Sequence, residues 1–289
     1  MKSRAALLLL PFLVIMGVFF ALPLLLIVGY SFMTQHYPGG VEWPLTVEAY
    51  IQIFYDRDFD NLLEFDPQYL IVFWRSLKLA GVCTISCLLI GFPMAYHMAT
   101  RPPEKRNLWI MLVTIPFWTN LLIRTYAWIL ILRTDGIANN TLKSLHVITD
   151  SLPLLYNDFA VGLGLLYSYL PFMVLPIYSN LERMDWRLTE AAADLYANRT
   201  QTLLKVTIPL AMPGILAGSI LVFIPAIGSY LAPVLLGGGH SLMIGTMIEQ
   251  QFGTAGNWPF GSASSVALMA IVLLGLMIMA RRGGMKELL

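Results

Sequence analysis

The chain has 289 residues, 57% of them hydrophobic and 12% charged, with a formal net charge of +1. Soluble domains carry roughly 25% charged residues, and a nucleic-acid surface needs a basic field that a near-neutral chain lacks. Runs of about 20 apolar residues, the length that crosses a hydrocarbon core of about 30 Å as a helix, predict an all-α integral membrane protein. The two-residue alternation of a membrane barrel is absent.

In chain order, six spans are predicted, at about 5–32, 70–98, 108–132, 159–181, 208–236 and 262–280, within a single membrane domain covering 1–289. Lys2 and Arg4 ahead of an apolar run to Ser31 resemble a leader. The run is too long for one and lacks a small-x-small cleavage site, so a retained first span is expected. Cys83 and Cys87, four apart in the second span, read as small buried apolar groups, with no His, Asp or further Cys beside them to suggest a metal. Pro209, Pro213, Pro225 and Pro233 in the fifth span predict a kinked helix that either lines a path or serves packing.

The connections alternate in charge. Lys2 and Arg4, then Arg101, Lys105 and Arg106, then Arg183, Arg187, Arg199 and Lys205, then Arg281, Arg282 and Lys286 fall on every second one. The 33–69 connection instead holds Glu42, Glu48, Asp56, Asp58, Asp60, Glu64 and Asp66 against Arg57. The positive-inside rule then predicts both termini and the 182–207 loop in the cytoplasm, and 33–69 outside.

Catalytic patterns are missing. No phosphate-cradling G-x-x-x-x-G-K-[ST], no H-E-x-x-H and no G-x-S-x-G occurs, and the Gly237–Gly239 run reads as a flexible turn. The spans hold almost no carboxylates of the kind that ion-driven carriers place near the midplane. No enzymatic activity and no bound cofactor are expected of this chain, so energy must come from a partner.

The most polar stretch among the spans is Leu181–Pro213. Asp185 or Thr189 can cap a helix there, with Glu190 in its first turn favouring the dipole. Leu188, Ala191, Ala192 and Leu195 form one apolar stripe, opposite Glu190, Asp194 and Arg199. Small alanines and carboxylates suit a protein-docking face better than a lipid-surface helix, which favours Lys and Arg with aromatic anchors.

Glu190-Ala191-Ala192-Ala193-Asp194-Leu195-Tyr196, nine residues, then Val206-Thr207-Ile208-Pro209, resembles the EAA loop of bacterial ABC-importer permeases. That family pattern reads E-A-A, three residues, Gly, nine residues, Ile, any residue, Leu-Pro. Tyr196 stands at the glycine position, so either the helix continues through Tyr196 or the bend moves to Asn198. Further stretches resemble the first permease subunit of spermidine/putrescine importers: Pro116-Phe117-Trp118-Thr119-Asn120, Leu122-Ile123-Arg124, Tyr126, Leu170-Pro171-Phe172-Met173, Met212-Pro213-Gly214 and Asn257-Trp258-Pro259-Phe260-Gly261.

The resemblance implies a type I ABC-importer permease fold in the bacterial inner membrane, with Glu190, Ala191, Ala192, Asp194, Leu195, Tyr196 and Pro209 at the coupling helix. It implies as partners a second homologous permease in a heterodimer, a cytoplasmic ATPase dimer holding ATP and magnesium, a periplasmic solute-binding protein and membrane lipid. By resemblance, Tyr50, Trp118 and the Trp128 position correspond to residues of a polyamine path, and Arg124, Tyr126, Tyr230 and Glu249 are further candidates for that path. Aromatic faces attract polyamine cations by about 0.5–2 kcal/mol each, although Trp118, Tyr126 and Trp128 also suit an interfacial belt. Arg124 would repel such a cargo and is expected to pair with a carboxylate or to cap carbonyls, while Glu249 is either a gate carboxylate or a solvated charge. Opines and aminophosphonates are the alternative cargo, and an ATPase-independent channel or carrier the rival class.

Overall fold

A computed structural model describes residues 11–12, 14–57 and 62–282. In chain order these form helix α1 (Val14–Tyr30), strands β1 (Met33–Gln35) and β2 (Val41–Leu45), helix α2 (Glu48–Ile51), and strands β3 (Tyr55–Arg57) and β4 (Leu63–Phe65). There follow α3 (Gln68–Ala99), α4 (Pro103–Trp118), α5 (Leu121–Leu132), α6 (Ile137–Ser144), α7 (Asp158–Glu182), α8 (Arg187–Asp194), α9 (Arg199–Ile227), α10 (Leu231–Leu236), α11 (Ile244–Phe252) and α12 (Trp258–Arg282). The chain divides into two compact units, one of the residues up to Phe73 and from Met247 on, the other Trp74–Thr246.

In the first unit α1 packs on α12, where the rings of Tyr30 and Trp258 lie 6.4 Å apart. The acidic connection is no featureless loop. β1 pairs antiparallel with β2, and β3 with β4. His36 Nδ1 lies 2.9 Å from Glu42 across the first hairpin. Asn257 opens α12 by accepting the amide of Phe260 at 3.2 Å, and the Phe260 ring packs on Tyr69 at 4.7 Å.

In the second unit α9 crosses α7 with backbones nearly touching. A Cβ on Gly214 would stand 2.8 Å from Asn180 Cβ and 2.9 Å from the Pro176 carbonyl, and one on Gly218 would stand 2.9 Å from Met173 Sδ. Lipid tails are as apolar as leucine, so close van der Waals packing through small residues four apart holds such helices together. Gly91 brings α3 against the same Met173, and Cys83 and Cys87 are buried free thiols on α3. The large apolar side chains Trp74, Ile85 and Leu89 of α3 are exposed, as a lipid-facing surface requires.

The expected spans are met in part. Four helices (α3, α7, α9 and α12) are long and apolar enough to cross a membrane, with the bent segment 103–144 as a fifth. The described part of the expected 5–32 span is shorter, and its first residues lie outside the described ones.

The 108–132 span is broken. Thr119 is extended, Asn120 caps a new helix by accepting the amide of Leu122 at 2.8 Å, and the axis turns by 89°. Pro116 lacks the N–H that would hold the preceding turn. The 208–236 span also breaks, at 228–230. Its helix starts earlier than expected, at Arg199, through one widened turn at Leu203–Thr207, where the Ile208 amide bonds to the Leu203 carbonyl. Pro209 follows directly, and the wider turn makes room for a ring that cannot donate. The Gly237–Gly239 run does form a turn, with Gly238 at φ 56° and open space at Gly239, but Gly237 is tightly packed: a Cβ there would lie 2.5 Å from Ser241 Cβ and 2.9 Å from Val161 Cγ2.

Candidate coupling loop and helix breaks

The loop between α7 and α9 is built as two helices joined by a tight turn. Asp185 starts α8 by accepting the Arg187 amide at 3.1 Å, and its carboxylate takes Arg187 Nη2 at 2.9 Å. Charge-assisted bonds from Arg187 hold the Asp185 carboxyl below its ordinary pKa. Thr189 is not the cap that the sequence allowed, because its hydroxyl donates back to the Trp186 carbonyl at 2.6 Å.

Helix α8 ends at Asp194, and the bend falls on Tyr196 itself, in a left-handed conformation with φ 61°. Neither alternative read from the sequence holds. The Ala197 amide donates to the Ala192 carbonyl at 3.0 Å and the Tyr196 amide to Ala193 at 2.9 Å. These two bonds are a Schellman turn, which satisfies carbonyls that a helix end would leave orphaned. Asn198 instead opens α9. Its side chain accepts the Gln201 amide at 2.8 Å while Gln201 Oε1 accepts the Asn198 amide at 3.0 Å.

The turn projects apolar surface outward. Leu195 is 82% exposed and Tyr196 98%, with Leu188 also exposed. Glu190, Ala191 and Asp194 are exposed and Ala192 half-buried. Pro209 lies about three turns along α9, just after the widened turn, and is exposed. The seven coupling residues expected from sequence thus stand on one helix–turn–helix element.

Its base is fixed by a residue that the sequence had offered only as a topology charge. Arg106 Nη1 lies 3.3 Å from Glu182 Oε1 at the end of α7, while Nη2 donates to the Ala99 carbonyl at 3.0 Å and Nε to the Arg101 carbonyl at 2.6 Å. Tyr178 donates to the same Glu182 oxygen at 2.7 Å. One guanidinium therefore closes the end of α3, the α3–α4 corner and the end of α7. The Tyr96 and Trp186 rings meet at 5.9 Å on the same side of α3.

The second group of candidates gathers at the two breaks. Short helices α5 and α10, which follow the breaks, pack on each other and on α7. Trp118 is 88% exposed at the first break, and Tyr126 and Tyr230 are also exposed. Trp128 stacks edge-on against Tyr167 at 5.8 Å. Phe117 meets Phe172 at 5.2 Å, and Tyr169 donates to the Pro225 carbonyl at 3.1 Å, sealing a helix end near the second break. Arg124 has no carboxylate partner and caps no carbonyl among the described residues: its Nε and Nη1 are buried without a hydrogen bond. Tyr50 and Glu249 belong to the other unit. There the Tyr50 hydroxyl lies 2.8 Å from Ser31 Oγ, and Glu249 is exposed on α11.

The spermidine/putrescine transport system permease protein PotB of Haemophilus influenzae is 42% identical over 258 residues, covering 89% of this chain and 86% of that protein. The Escherichia coli PotB is 40% identical over 261 residues, covering 90% of each. The chain belongs to the PotB family of transport permeases. The inner membrane ABC transporter permease protein YdcU of Escherichia coli is 34% identical, covering 78% of this chain and 75% of its own length. Among solved structures, a bacterial alginate ABC transporter in complex with its alginate-bound periplasmic protein superposes with a TM-score of 0.73 at 17% identity. That match covers 97% of this chain and 95% of that one, and it shows the all-α fold of an ABC permease. No family model matches the chain.

Two elements of this permease escaped sequence reading. Arg106 gave no signal apart from its charge. Gly214 and Gly218 did carry one, the four-residue spacing of small residues in an apolar run.

Proposed function

We propose that this permease is the membrane subunit of an ATP-driven, binding-protein-dependent importer of polyamines. The observation that carries this reading is its 42% identity, over nearly nine-tenths of its length, to a permease of a spermidine/putrescine system. The expected partners are a second permease, a cytoplasmic ATPase dimer with ATP and magnesium, and a periplasmic binding protein. The chain lies in the inner membrane with both termini and the coupling loop on the cytoplasmic side.

Mechanistically, Leu195 and Tyr196 at the tip of the α8–α9 turn enter the ATPase, flanked by Glu190, Ala191, Ala192 and Asp194. Closure of the ATPase dimer moves the turn, and α9, continuous from Arg199, carries that motion to the break at 228–230. Pro209 stiffens its first part. The path runs past Trp118, Tyr126, Trp128 and Tyr230, whose ring faces suit alkylammonium groups by cation–π attraction. Tyr50 and Glu249 are further candidates for the outer entrance, and Arg124 orders the break near Trp118.

Reconstitution of the chain with the subunits encoded beside it tests the reading. ATP-dependent spermidine uptake into liposomes is expected, and uptake without ATP or ATPase would remove the importer assignment. A thermal shift of the adjacent binding protein with an opine but with neither polyamine would transfer the cargo to the alternative class.

A further inference from the structure

A cavity of about 690 Å³ lies between the end of α3, the coupling helix α8 and the first turns of α9. Nothing in the transport reading uses it. Its volume is in the range that holds a small ligand, about 300–1,000 Å³. Arg199, His97 and the hydroxyls of Thr100 and Thr202 line it beside the aromatic Phe92, and no carboxylate does. His97 Nε2 accepts from Arg101 Nε at 3.2 Å. The lining offers the Arg199 cation without an opposing carboxylate, while the Thr100 and Thr202 hydroxyls already donate to the His97 and Asn198 carbonyls.

A second cavity of about 250 Å³ adjoins it, almost wholly apolar, formed by Met94, Met98 and Trp109 and sharing Pro93 and His97 with the first. A mostly apolar chamber with a cation on its wall and a second, almost wholly apolar one therefore meet across one turn of α3. Both lie where α3 ends at Ala99 and α9 begins at Arg199. On the orientation proposed above, that is the level of the cytoplasmic headgroups, where anionic lipids concentrate and basic pockets between helices receive them.

We propose that the two cavities seat one anionic glycerophospholipid, with its phosphate at Arg199 and an acyl chain along Pro93 and Trp109. Ala193 and Ala197 of the proposed coupling segment wall the larger chamber, so the bound lipid braces that turn against α3. One cation on otherwise apolar walls favours a lipid over a free phosphate, which would leave the apolar surface of both chambers unused.

Native mass spectrometry of the purified transporter complex, released from micelles containing phosphatidylglycerol and phosphatidylcholine, tests this. The wild type retains phosphatidylglycerol about fivefold over phosphatidylcholine, the worth of one cation near an anionic lipid. Arg199→Gln removes the preference and Arg199→Lys restores most of it, in complexes that co-purify at wild-type yield. A preference unchanged in Arg199→Gln, equal retention of both lipids by the wild type, or displacement of the lipid by glycerol 3-phosphate would each overturn the proposal. Lipid retention is read without polyamine or ATP, so failure here leaves the transport reading standing.

Discussion

Arg106 and Glu182 meet at 3.3 Å, joining the start of α4 to the end of α7 at the base of the coupling loop. The Arg106 side chain is 22% exposed and that of Glu182 43%, so the contact is partly shielded from water. Removing Arg106 also takes the donors from the Ala99 and Arg101 carbonyls. Arg106→Ala is expected to cost about 1–3 kcal/mol and to lower ATP-dependent uptake more than complex yield. Thermal unfolding in detergent, with Glu182→Gln and the double variant, measures the coupling. Additive losses in that cycle would show that the two residues act separately.

Tyr196 holds a left-handed conformation that costs a non-glycine residue roughly 1–2 kcal/mol. Tyr196→Gly relieves it but loses about 0.4–1 kcal/mol through the freer unfolded chain. The variant should therefore be as stable as the parent or slightly more so, and should transport. Tyr196→Val, β-branched at positive φ, should destabilise the turn. Limited proteolysis between Asp194 and Asn198 reads the turn. Loss of ATPase co-purification in Tyr196→Gly, with the turn intact, would reveal a specific contact by the ring.

The Asp185 carboxyl is held low by Arg187. A depressed carboxylate contributes its stability in full above the unfolded value, near pH 4, and loses it as pH falls through the lower folded value. The start of α8 is thus insensitive to pH between 6 and 8 and loosens only in acid. The ¹³C carboxyl shift of Asp185, followed from pH 7 to pH 2, should show a midpoint below that of an isolated aspartate. Arg187→Gln should raise it.

Gly218 meets the backbone of Met173, with its carbonyl 3.1 Å from a would-be Cβ. Backbone cannot step aside as a side chain can. Gly218→Val is expected to destabilise the α7–α9 pair by about 1–3 kcal/mol, the usual cost of overpacking. The same change at Gly275, where a Cβ meets nothing within 4 Å, should be neutral. Melting temperatures of the two variants decide it.

Arg124 keeps Nε and Nη1 buried without partners, an arrangement that costs free energy in the isolated chain. Arg124→Leu should leave the melting temperature of the isolated chain unchanged or raised while reducing uptake by the assembled transporter. A lower melting temperature would show that the guanidinium is satisfied within this chain.

The long helices were legible because a membrane demands about 20 apolar residues in a row and leaves little freedom in how they fold. The breaks were not, because Pro116 and Pro225 are equally compatible with kinked helices; Asn120 ends one span by capping the next helix, a local choice that hydropathy does not register. Sequence marked out the 182–207 loop as a helical element through Glu190, Ala191 and Ala192, yet misjudged its bend. A steric argument against tyrosine at positive φ was outweighed by two backbone bonds that only the fold reveals. The hairpins at Met33–Leu45 and Tyr55–Phe65 were hidden by their acidic composition, and Arg106 by the several arginines and lysines that mark the same face.

Helix α9 runs from Arg199 to Ile227, 29 residues, or about 44 Å at the ordinary rise. It is clamped at mid-length where Gly214 and Gly218 touch α7. On the proposed mechanism, a rod held at its middle would act as a seesaw: a push of a few ångströms on the Tyr196 turn would emerge as an opposite swing at Gly228, at the other end of the helix. The glycines that let two helices touch would then also set the fulcrum, and shifting them along α9 would change the gearing between its two ends.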